Sequence, residues 1–189
     1  MPFTKTEVDS AVDEQYNDVP KENIVWDDLK APLTQAKQGN LDKPDFDYTN
    51  IGLLFPDGND TSEIAYIILQ FPHNRQNGSD ISPHIHWVQA EATTPTWKID
   101  YRWTENGADP TGTFTTLEAD NHVFTYTSGS ILQISSFPDI DGSGIDSVSS
   151  ILEVKLYRDD DAVTGDVLAK EFDVHYQIDQ MGSRQEFTK

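Results

Sequence analysis

Two histidines one residue apart, in the stretch SPHIHWVQAE, are the pair whose spacing most directly suggests chemistry. On a strand, alternate side chains share a face, so His84 and His86 point one way and Ile85 and Trp87 the other. Imidazoles placed like this can converge on one cation. A second polar face lies in KEFDVHYQID. There Glu171, Asp173, His175, Gln177 and Asp179 alternate with Phe172, Val174, Tyr176 and Ile178. A histidine among acids has a raised pKa, which alone does not make a catalyst. Asp139, Asp141, Gly142 and Asp146 in PDIDGSGID begin like a calcium loop, but no bidentate glutamate follows at the right spacing. Asp159, Asp160, Asp161 and Asp166 form another acidic group in a loop.

The spacing Gly78, His84, His86, Glu91 also resembles the first half of the motif of cupins, small β-barrels that often hold a metal. Lys98 stands where that motif has glycine, and neither His122 nor His175 has the Pro-x-Gly setting of the second half. The simpler reading gives Ile85 and Trp87 to the core and leaves the imidazoles on the wet or subunit-facing side. No Gly-x-Ser-x-Gly elbow, P-loop or dinucleotide fingerprint occurs. The sequence therefore predicts no catalytic residue, no cofactor and no resident metal, and a protein that is not an enzyme. Trp97, Tyr101 and Trp103 form a same-face aromatic stripe, which reads first as core and second as a sugar platform.

What must position these residues follows from the whole chain. It has 189 residues, enough for one domain and an arm, and a net charge of −20. So negative a surface repels phosphate backbones, which argues against nucleic-acid partners. There are no cysteines, which excludes disulfides and thiolate metal sites. No apolar run is long enough to span a membrane as a helix. MPFTKTEVDSAVDEQ lacks a signal-peptide core, so synthesis in a cytoplasm is expected.

Residues 1 to 45 read as a partly extended N-terminal arm, with Ile24, Val25, Trp26 and Leu29 as its apolar anchors. From Phe46 to Lys189 the pattern is that of strands. FDYTNIGLLF reads as one strand ended by Pro56-Asp57-Gly58. EIAYIILQF reads as a strand covered on both faces. TWKIDYRW and ILEVKLY alternate, with Trp97, Ile99, Leu152, Val154 and Leu156 inward. ILEVKLY and KEFDVHYQID read as a hairpin with a long loop. Many short strands, turn-rich connections and no long helix predict an all-β antiparallel sandwich or jelly roll with an extended N-terminal arm.

PHIHW, WKIDYRW, SSILEVKLYRDD and GDVLAKEFDVHYQIDQMGSRQEF, in this order, resemble a family of small structural proteins of tailed bacteriophages and prophages. The likeness runs from about Trp26 to Lys189. It implies a virion component and carries no catalytic residues. The expected function is a capsid-associated decoration or cement subunit, located in the virion. Its expected partners are itself, as a homotrimer, and other virion proteins such as the major capsid protein. The alternative is a tail, connector or fibre component that binds a host glycan through loops 73 to 82 and 104 to 112. A cupin-like metalloprotein, with His84, His86 and Glu91 as the metal ligands that this resemblance implies, is the third reading. If the first 39 residues are an arm, deleting them should leave a folded domain that assembles poorly.

Overall fold

The structure, a computed structural model, describes residues 25–39, 43–56, 63–89, 94–122, 131–159 and 165–182. The described residues form twelve strands and one 3-10 turn, Leu33–Gln35. The strands are β1 (Val25–Pro32), β2 (Lys37–Gln38), β3 (Asp45–Asp47), β4 (Gly52–Phe55), β5 (Ala65–Gln70), β6 (Ile81–Gln89) and β7 (Trp97–Thr104). They continue with β8 (Thr115–Glu118), β9 (Asn121–His122), β10 (Ile131–Ser136), β11 (Ile151–Arg158) and β12 (Val167–Ile178). A seven-stranded sheet runs β3-β4-β12-β6-β10-β9, with β1 also paired to β12, and a five-stranded sheet runs β2-β5-β11-β7-β8. All the pairings are antiparallel. The predicted all-β sandwich is the fold.

The inner faces of the two sheets share one core. Ile85, Trp87, Phe172 and Val174 come from the larger sheet, and Ile67, Trp97, Ile99, Leu152, Val154 and Leu156 from the smaller. Phe55 meets Trp97 edge-on across the sheets, with ring centroids 5.2 Å apart, the arrangement that aromatic quadrupoles favour. Trp87 donates its indole N–H to Ser135 Oγ at 2.8 Å, so this buried donor has a partner. Two arginines lie almost wholly inside and tie loops to the sheets. Arg158 Nη1 donates to the carbonyls of Pro56 and Gly165, at 2.6 and 2.8 Å. Arg75 donates to the carbonyls of Gln76 and Ile145, and its guanidinium packs on Phe71 and Trp103. Burial lowers its pKa, and Asp146, Asp179 and Glu105 oppose that fall.

Several sequence expectations need correction. FDYTNIGLLF is not one strand but the hairpin β3–β4. Asp47 Oδ1 accepts the N–H groups of Thr49 and Asn50, at 2.8 and 3.0 Å, and this local capture turns the chain. β5 is covered on one face only: Ala65, Ile67 and Leu69 are buried, while Tyr66 is exposed and Ile68 is 70% exposed. β11 and β12 do not form a hairpin. They lie in opposite sheets, because β5 and β7 already occupy both edges of β11. Residues 25 to 38, assigned to the arm from sequence, belong to the two sheets as strands and one turn. Leu33 there is 1% exposed, so removing the first 39 residues would open the core rather than free an independent domain. Among the described residues, no helix is long and apolar enough to cross a membrane.

Candidate functional site

The outward face of the larger sheet carries the histidines. β6 puts Ile81, Ile85 and Trp87 into the core, so Ser82, His84 and His86 face away from it. β12 lies beside β6, with Asp173 opposite His84 and Glu171 opposite His86. On the other side of β12, β1 sets Asp28 opposite His175 and Lys30 opposite Asp173. β10 borders β6 with Ser136 opposite His84 and Ile134 opposite His86. The polar faces of two segments far apart in sequence thus form one surface.

A local irregularity makes this possible. The pairing of β12 with β6 slips between Ala169 and Glu171, leaving Lys170 as the extra residue of a bulge. Before the bulge, Val167 and Ala169 face the core; after it, Phe172, Val174 and Tyr176 do. The slip is what turns Asp173 and His175 outward.

Facing away from the core has not left these groups wet. His84 is 5% exposed and Asp173 4%. The expected face is therefore the observed one, but His84 is buried on it. His84 Nε2 lies against Asp173 Oδ1, and His86 Nε2 is 3.5 Å from Asp173 Oδ2. Asp173 Oδ1 nevertheless accepts no hydrogen bond of acceptable direction, so the His84 contact is close but off the N–H axis. Burial pushes the Asp173 carboxyl up, but the two imidazoles outweigh it and hold it down at about 2. Asp173 in turn raises His86, against burial and Lys30. The His175 ring packs against that of His84, with centroids 4.4 Å apart, and its Nε2 pairs with Asp28 Oδ1 at 3.0 Å.

Among the described residues, His84, His86 and Asp173 are the one set whose ligand atoms gather as for a metal ion, all within 4.8 Å of one another. Glu91 lies outside the described residues. Sequence reasoning placed Asp173 on the polar face of its own segment. It did not bring that face to His84, because the pairing of β12 with β6 has no local signal. The suggested calcium loop does not assemble: Asp139 accepts from Ser82 Oγ at 2.6 Å, and Asp141 caps the N–H of Ser143 at 2.8 Å. Of the other acidic group, Asp159 pairs with Lys98, Asp166 is exposed, and Asp160 and Asp161 lie outside the described residues.

A cleft of about 500 Å³ opens elsewhere, between residues 101–105, the loop at 108–115 and Ile140–Ile145. Trp103 borders it, but that ring already packs on Phe71 and the Arg75 guanidinium. Comparison with known protein families, curated proteins and solved structures returns no match.

Proposed function

We propose that this chain is a virion structural protein of a tailed bacteriophage, a capsid-associated decoration or cement subunit that works through protein–protein contacts. The observation that carries the reading, beside the sequence resemblance, is the state of β1. The strand is paired to β12 along its whole length and to no other strand among the described residues. Trp26 points outward from it and is 48% exposed, next to exposed Val25. A large aromatic half in water on a strand at the edge of the described sheet suits burial against a neighbouring subunit. The copies associate as trimers.

Mass spectrometry of purified particles tests this. Hundreds of copies per particle support a capsid subunit, and absence from particles overturns the reading. Trp26→Ala should leave the fold unchanged, weaken self-association in sedimentation and lower the copy number. The tail or fibre alternative rests on the cleft beside residues 104–112. It requires about six to twelve copies and a saturable glycan-array signal that is lost on altering that loop.

A further inference from the structure

We infer that His84, His86 and Asp173 form a binding site for one divalent first-row transition metal ion on the outward face of the larger sheet. The donor set is two imidazole nitrogens and one carboxylate oxygen, a combination suited to Zn²⁺, Co²⁺ or Fe²⁺ rather than to Ca²⁺ or Mg²⁺. Three protein ligands leave room in the coordination sphere for water or an exogenous ligand.

Several independent observations point to a cation here. The ligands come from two paired strands held in register by the core residues behind them, so the set is preorganised. Asp173 is buried, and its Oδ1 has no hydrogen bond although an imidazole nitrogen lies against it. A buried carboxylate is costly unless a positive charge accompanies it, and a bound cation would supply one. Ligand atoms around a shared ion crowd together in this way, all within 4.8 Å of one another. The surroundings favour a cation as well. Glu171 and Asp28 flank the cluster, Lys30 is the cation facing it from β1, and the chain carries a net charge of −20. His175, held by Asp28 and packed on His84, is a positioning residue that fixes the His84 ring.

The site is independent of the virion reading, since a structural subunit can carry a metal and a metal-binding protein need not be in a particle. Its test uses the full chain, stripped with a chelator and titrated with Zn²⁺ and with Co²⁺. One ion per chain should bind, and the Co²⁺ form should show visible d–d absorption. Asp173→Asn and His86→Gln should each weaken binding about tenfold or more, since even outer-shell partners contribute that much. Asp141→Asn, on the separate acidic loop, should not change it. Zn²⁺ should also shift the ring ¹⁵N resonances of His84 and His86 in the wild-type chain, a measurement that stands even if a variant fails to fold. Absence of stoichiometric binding, unmoved ring resonances, or an equal loss in Asp141→Asn would each overturn the site.

Discussion

At the scale of single residues, the sandwich is decided by a few close approaches. Gly142 is one. A Cβ built there would lie 1.9 Å from the carbonyl oxygen of Ser79, and its own N–H donates to Asp80 Oδ1 at 3.0 Å. The obstacle is backbone, which cannot swing aside. Gly142→Ala should therefore lower stability by about 1–3 kcal/mol, as overpacking does, read as a lower urea midpoint at unchanged slope. Tyr176 is another. Burial first, then its hydrogen bond to Asp27, pushes its phenol up to about 12, with Asn74 opposing. Its hydroxyl donates to Asp27 Oδ2 at 3.0 Å, in reach of Asn74 Oδ1 at 3.3 Å. A group whose folded pKa lies above its unfolded value near 10 contributes fully below pH 10. That contribution fades between about pH 10 and 12, and is worth about 2–3 kcal/mol over the window. Urea unfolding at pH 9 and at pH 11.5 should show this loss in the wild type and a smaller one in Tyr176→Phe. Equal losses would show that the phenol is not responsible.

At the scale of elements, the bulge in β12 sets the faces. The chain on both sides of Lys170 alternates regularly, but in opposite phase, so a single residue decides what meets the core. Lys170 is also anchored, its ammonium donating to the carbonyls of Asn50 and Ile51 in the β3–β4 turn. Gly52 lets this turn come close: a Cβ there would lie 2.5 Å from the Ala169 carbonyl oxygen. Deleting Lys170 should force Asp173 and His175 inward or Val167 and Ala169 outward. Loss of the cooperative unfolding transition and of soluble monodisperse protein is expected. Lys170→Ala keeps the residue count and should cost only about 1 kcal/mol, measured by denaturant titration. A deletion variant as stable as Lys170→Ala would show that the bulge does not set the phase.

At the scale of the whole molecule, chain ends and charge are what matter. Removing residues 1–24 takes away none of the described strands. Removing residues 1–39 takes away β1, β2 and buried Leu33. The lost Leu33 side chain alone costs about 2–5 kcal/mol. Scanning calorimetry of the two truncations separates these outcomes, and equal melting temperatures would contradict the role given to β1.

By itself, the sequence determined the class of fold and the inward face of each well-alternating strand. Trp97, Ile99, Leu152, Val154, Leu156, Phe172 and Val174 are all buried as their two-residue period requires. It also set His84 and His86 on one face and Asp173 and His175 on another, since that depends only on local alternation. Which strands pair, and therefore which polar faces become neighbours, depends on contacts between residues some ninety positions apart, and only the tertiary structure decided it. The same holds for the hairpin at Asp47 and for the sheet to which β11 belongs. A short apolar run fits several places in a sandwich, and the edge it takes is set by which neighbours leave one free. Burial of His84 and Asp173 followed from that assembly, not from their own residue types.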